Sequence, residues 1–144
     1  ESNRPRSWFN SATGYGTLGY ALPAAIGAKL AAPARPVVAL IGDGGSQFTL
    51  SELASAVEAQ APIIVLLWNN SGYGEIKRYM QNRSIEPVGV DIFTPDFQVL
   101  AKGFGCNAGR AHSLEHLHEL LQAAARAERP TLIEVLEDSS FLAA

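Results

Sequence analysis

The sequence predicts an α/β fold, a mainly parallel sheet with helices on both faces, on three observations. Two continuous apolar runs, "VVALIG" at 37–42 and "PIIVLLWN" at 62–69, have strand length and no polar alternation, as strands buried on both faces should. Segments with helical spacing of apolar residues lie between and after them, so strand and helix alternate along the chain. Each run also ends in a loop rich in glycine or asparagine, "GDGG" and "NNSGYG". In open α/β sheets, ligands bind beyond the carboxyl ends of the strands.

Taken in order, residues 1–13 read as an irregular lead-in. A helix is expected from about Gly19 to Ala32, with Pro23 tolerable in its first turn and "PARP" ending it. The Gly/Ala-rich stretch at 16–32 allows close backbone approach, to another helix or to a ligand, and equally suits a plain core helix. After the first strand, Leu50, Leu53, Ala54 and Val57 fall at helical spacing within 46–60. After the second comes a helix over 75–81 and a loop, "NRSIEPVGVDIF". Thr94 can cap a helix begun by Pro95 and running to about Phe104, with Phe97, Leu100 and Ala101 inward. "CNAGR" at 106–110 is a short strand, Ser113 caps the helix of "LEHLHELLQAAARAE", and "TLIEVLE" at 131–137 is the last strand. There is no internal repeat and no low-complexity linker, so 144 residues make one domain.

Composition excludes several functional classes. Hydrophobic residues make up 47%, charged residues 17%, and the net charge is −3, which gives nucleic acid no basic footprint. No apolar run reaches membrane-spanning length and no signal-peptide pattern opens the chain, so a soluble, cytoplasmic protein is expected. The single cysteine, Cys106, forms no internal disulfide and suits a reducing compartment. Cys106, Trp68, Phe48, Phe97 and Phe104 read as core.

The chemistry concentrates at the two loops. Consecutive parallel strands are often neighbours, which would bring Asp43 and Asn70 to one edge of the sheet. A carboxylate and an amide oxygen are hard ligands, suited to Mg²⁺ or Ca²⁺ rather than zinc. Gly44, Gly45, Gly72 and Gly74 would bring bare backbone N–H groups close, as phosphate oxygens require. The residues thus point to a Mg²⁺–diphosphate site, against the alternative that both loops are turn punctuation. A rival is "GYGTLG" at 14–19, which satisfies the dinucleotide fingerprint with Asp43 24 residues beyond its last glycine. That reading requires a buried strand running into Gly14, and "SWFNSAT" is not one. His112 and His116 stand four apart but have no third ligand at a sensible offset.

Gly42-Asp43-Gly44, followed by 24 residues and then Asn69-Asn70, resembles the thiamine diphosphate signature, GDG with about 25 residues to NN. "GTLGYALPAAIGA" resembles the segment preceding that signature in acetolactate synthases and benzoylformate decarboxylases. The resemblance spans about Trp8 to Val135 and implies the C-terminal, diphosphate-binding domain of such enzymes. It implies Mg²⁺ held by Asp43, Asn70 and the Gly72 carbonyl. Gly44 and Gly45 would contact the diphosphate, and Tyr73–Gly74 would close over it. The Gly16 carbonyl would accept from the aminopyrimidine, and Leu18 would be the wedge that bends thiamine diphosphate. The bend makes proton removal from the thiazolium effectively intramolecular, and the ring takes up the electrons left by CO₂ from a 2-oxo acid.

Two departures matter. Pyruvate-decarboxylase-like members carry a glutamate six residues after the metal-binding asparagine. Here that substrate-facing position is Ile76, with Glu75 one residue short, as in the benzoylformate decarboxylase and acetolactate synthase branches. The glutamate that protonates the pyrimidine belongs to the family's pyrimidine-binding domain, on the same or a partner subunit. The resemblance therefore implies that residues 1–144 are part of a longer three-domain chain, or that a second polypeptide supplies the rest. It also implies a homo-oligomer, and a chain inactive alone; a cofactor-binding module without catalysis is the alternative. "NNSGYGEIKRYM" and "IEPVGVD" look most like decarboxylases of basic 2-oxo acids, such as the guanidino-oxopentanoate enzymes, with Lys77 and Arg78 able to face an anion.

Overall fold

The computed structural model describes residues 7–11 and 14–143. Of the expected lead-in, residues 1–6 and 12–13 lie outside the described residues, and 7–11 form neither helix nor strand. Helix α1 (Ala21–Ala31) carries Pro23 in its first turn, where the missing N–H has no intrahelical partner to lose. Strand β1 (Val38–Gly42) runs directly into a single helical turn, α2 (Asp43–Ser46). Helix α3 (Glu52–Glu58), strand β2 (Ile64–Asn69) and helix α4 (Gly74–Asn82) follow. Helix α5 (Phe97–Gly103), strand β3 (Asn107–Arg110), helix α6 (Leu114–Ala125) and strand β4 (Thr131–Leu136) complete the alternation, before a short 3₁₀ turn, Ser140–Leu142.

The four strands form one sheet in the order β1-β2-β4-β3, and every pair is parallel. Because side chains alternate across a strand, the sheet has two distinct faces. Ala39, Ile41, Val65, Leu67 and Leu132 pack with Leu22 and Ile26 of α1, Leu53 of α3 and Phe97 of α5. Ile64 and Ile133 point the other way, onto Ala124 and its neighbours in α6. The expected α/β architecture with helices on both faces is present, and the parallel order sends both glycine-rich loops to one edge.

Several local expectations are corrected. β1 is an edge strand buried on one face only: Val38 and Leu40 are about half exposed, at 52% and 53%. An apolar run marks hydrophobicity but not which strand lies at the margin. The helix expected over 46–60 is interrupted, and Leu53 and Ala56 are buried whereas Ala54 is exposed. Asp96, not Thr94, caps α5, its carboxylate accepting the backbone N–H groups of Gln98 and Val99, each at 3.0 Å. The helix begins at Phe97, two residues later than expected, which places Asp96 at the cap, and a charged oxygen at the helix N-terminus is a favourable partner. Phe48 is exposed rather than core, and Trp68 is half-buried with its indole N–H donated to Glu137. Phe97 and Cys106 are buried as expected, and burial pushes the Cys106 thiol up to about 11 against the opposing pull of Arg129. That thiol is therefore protonated at neutral pH, as an inert core residue should be.

Candidate functional site

The pairing of Gly42 with Trp68 sets the ends of β1 and β2 level, so Asp43 and Asn70 emerge side by side. Asp43 has no solvent exposure. Its Oδ1 accepts the Asn70 backbone N–H at 3.2 Å and its Oδ2 accepts that of Gly72 at 2.9 Å. The Ser46 hydroxyl donates to the Asp43 carbonyl at 2.7 Å, holding the turn from beneath. A carboxylate offers about four acceptor positions. Two are used to hold the loop, and Oδ1 also faces the Asn70 side chain.

The Asn70 amide decides what that space can hold. One of its terminal atoms lies 3.0 Å from the Gly72 carbonyl oxygen and 3.1 Å from Asp43 Oδ1. With nitrogen there, the amide donates to both and the arrangement is satisfied without a cation. With oxygen there, a carboxylate, an amide and a carbonyl oxygen face one another with no proton between them. Nδ2 then lies 3.3 Å from Glu137 Oε2. Three converging oxygens of this kind are the donor set of a hard divalent cation.

Glycines are required here by contact. A Cβ at Gly74 would stand 2.3 Å from Asn70 Nδ2, and one at Gly44 would stand 2.7 Å from the Tyr73 ring. At Gly72 a Cβ would meet the Val90 carbonyl oxygen at 2.5 Å. The segment around Val90 clasps the loop: the Tyr73 N–H donates to the Val90 carbonyl at 2.9 Å, and Gly72 bridges Asp91 in antiparallel fashion.

Above this floor opens a cleft of about 510 Å³, of the size that takes a cofactor. Gly44, Gly45, Asn70, Gly72, Tyr73 and Gly74 line it from the two strand-end loops. Gly16 and Leu18 line it from the segment before α1, and Ile76 from α4. Asp43 lies buried beneath. The structure therefore places the residues of the expected Mg²⁺–diphosphate site, Gly16, Leu18, Asp43, Gly44, Gly45, Asn70, Gly72, Tyr73, Gly74 and Ile76, at or beneath one cleft. Leu18 is 42% exposed and Ile76 45%, with the Leu18 Cδ2 3.6 Å from where a Gly45 Cβ would stand.

Other candidates do not join the site. Lys77 pairs with Asp91 at 2.7 Å, and Arg78 pairs with Glu75. His112 precedes α6, so its spacing to His116 is not helical; the two rings stack 5.2 Å apart. Among the described residues, no group of three or more His, Cys, Asp or Glu is placed to hold a metal. "GYGTLG" has no strand before it among the described residues, so the dinucleotide fingerprint lacks the element that gives it meaning. Sequence reasoning missed the buried Glu134 and its partners Asn69, Arg110 and Gln98. The available signal was a lone acid inside the apolar run "TLIEVL".

The fold and site define a parallel α/β domain with a glycine-lined cleft at the strand ends, above the oxygens of Asp43, Asn70 and Gly72. Residues 1–135 match the family model of the thiamine pyrophosphate enzyme C-terminal TPP binding domain, and the chain belongs to that family. A probable 2-ketoarginine decarboxylase of Pseudomonas aeruginosa is 49% identical over 135 residues, 93% of this chain and 24% of that protein. A benzoylformate decarboxylase of the same species is 37% identical over 136 residues, 94% of this chain and 25% of that protein. The structure of a thiamine diphosphate-dependent 4-hydroxybenzoylformate decarboxylase from Rhodococcus jostii RHA1 superposes with a TM-score of 0.80 at 35% identity. That superposition covers 88% of this chain and 24% of that one. The chain thus spans about a quarter of the length of these relatives. No helix among the described residues is long and apolar enough to cross a membrane.

Proposed function

We propose that this chain is the Mg²⁺- and diphosphate-holding half of the active site in a 2-oxo acid decarboxylase or an acetolactate synthase-like carboligase. The observation that carries the proposal is the convergence of Asp43, the Asn70 amide and the Gly72 carbonyl on one small space. These three would be the protein ligands of Mg²⁺, whose remaining positions the diphosphate and water would fill. Gly44 and Gly45 would present backbone N–H groups to the diphosphate, and Tyr73–Gly74 would shield it from solvent. Leu18 would support the bend of the cofactor, and the Gly16 carbonyl would accept from its aminopyrimidine. Bound thiamine diphosphate supplies the electron sink for loss of CO₂ from a 2-oxo acid.

The general acid and base of the reaction would come from outside this chain. Ile76 offers the substrate an apolar wall, and Glu75 is engaged by Arg78. The pyrimidine-binding domain of the same or a partner subunit would complete the site, in a cytoplasmic homo-oligomer. The 49% identity to a protein named a probable 2-ketoarginine decarboxylase supports a basic 2-oxo acid as substrate. The 144 residues alone are accordingly expected to bind cofactor and to release no CO₂ from any of a panel of 2-oxo acids. Turnover restored by a pyrimidine-binding domain would mark an enzyme; persistent binding without turnover in that mixture would mark a cofactor-binding module.

Calorimetric titration with thiamine diphosphate, with and without Mg²⁺, tests the central reading. Binding should require the metal and slow hydrogen exchange across residues 70–83. Protection confined to the region of His112 and His116 would place the site elsewhere. At a ligand concentration ~100 times its dissociation constant, binding should add about 2.7 kcal/mol of stability.

A further inference from the structure

We infer that Glu134 and Asn69 are a positioning pair, buried behind the cleft, that fixes the loop carrying Asn70 and Gly72. This rests on the metal-site reading above and adds residues that do not line the cleft. Glu134 is 1% exposed on β4, in a strand otherwise apolar apart from Thr131. Its Oε2 accepts from Arg110 Nε at 2.9 Å and from Gln98 Nε2 at 3.3 Å. Its Oε1 accepts from Asn69 Nδ2 at 2.7 Å. An ionised carboxylate only accepts, so the Asn69 amide must turn its nitrogen toward Glu134. Its oxygen is left facing forward, where it accepts the Ser71 backbone N–H at 3.0 Å.

Ser71 is where the loop reverses. It holds φ at +60°, a left-handed conformation that a side chain disfavours. That reversal lays the Gly72 N–H on Asp43 Oδ2 at 2.9 Å. It also brings the Gly72 carbonyl to the Asn70 amide at 3.0 Å. The two adjacent asparagines therefore differ in kind. Asn70 faces the cleft, whereas Asn69 is held in one orientation by Glu134 on one side and the Ser71 N–H on the other. The Glu134–Arg110 pair joins a buried carboxylate to an arginine that is 38% exposed, and desolvation of the carboxylate offsets part of the attraction, so the pair is weak grounds for stability. Orienting the loop through Asn69 gives the pair a role that stability does not. Partners one step behind metal ligands commonly change metal affinity 10–100-fold when removed.

The test compares N69A, N69D, the N69D/E134Q pair and D43A with the unaltered protein. Calorimetry reads the Mg²⁺ concentration for half-saturation at fixed thiamine diphosphate. Amide exchange at Ser71 is followed in metal-free protein well below its melting temperature. N69A and N69D should raise the Mg²⁺ requirement ~10-fold or more and speed exchange at Ser71. The N69D/E134Q pair exchanges donor for acceptor at constant local charge, so it should recover most of the loss. If D43A loses Mg²⁺ dependence while N69A and N69D keep the normal requirement, the positioning role is wrong and the metal site stands. If D43A keeps normal Mg²⁺ dependence, the metal site itself is wrong and the inference goes with it. Should N69A not fold, a double variant no better than N69D alone overturns the inference equally.

Discussion

Replacing Asp43 is expected to abolish Mg²⁺-dependent binding of thiamine diphosphate. The carboxylate is the only formal charge among the three oxygens that face the proposed metal position, and the nearby cations Lys77 and Arg78 are already paired. Alanine also removes the partner of two backbone N–H groups, those of Asn70 and Gly72. Each unsatisfied donor costs roughly 1–3 kcal/mol when buried, so D43A should lose stability as well as binding. D43N separates the effects. It keeps the shape and one acceptor while removing the charge, and its NH₂ leaves one of the two backbone N–H groups unpaired, so its unfolding midpoint in urea should fall less than that of D43A. Calorimetry should nevertheless find binding weakened ~100-fold or more, equivalent to about 2.7 kcal/mol. A D43N protein that retained full Mg²⁺-dependent affinity would leave Asp43 as a loop anchor only.

The double role of Asp43 shows which features local patterning conveys. Strand runs, helix spacing and strand-end loops depend on neighbours in sequence, and they led to the parallel sheet and to the two strand-end loops that meet at the cleft. The edge position of β1 depends on what covers Val38 and Leu40, which no run of β-branched residues encodes. The cap at Asp96 was misplaced because Thr94 and Asp96 both satisfy the residue preference, and the start of the helix at Phe97 separates them. The Glu134 cluster was the hardest to see. Its members come from β2, β4, β3 and α5, and they meet only because β4 inserts between β2 and β3. Asn69 stood in full view beside Asn70, yet its partner lies 65 positions away.

Two alanines in the site should fail in opposite ways. At Gly72 a Cβ would meet the Val90 carbonyl oxygen at 2.5 Å, so backbone must move on one side of the loop. G72A should therefore lose the clasp between residues 72–73 and 90–91, and with it both stability and metal binding, at a cost of about 1–3 kcal/mol typical of overpacking. At Gly45 the nearest atom to a Cβ would be Leu18 Cδ2 at 3.6 Å, an ordinary contact. Gly45 lies within the helical turn α2, where alanine is preferred by roughly 0.5–1 kcal/mol. G45A should fold at least as stably as the unaltered chain. Its new methyl would stand on the cleft wall where the diphosphate is proposed to lie, so affinity for Mg²⁺–thiamine diphosphate should fall ~10-fold or more. Urea unfolding without ligand and calorimetry with it measure the two effects separately. Unchanged affinity in a stable G45A protein would move the diphosphate away from α2. A fall in affinity with stability preserved would hold it against that turn, because nothing else in the substitution touches the metal ligands.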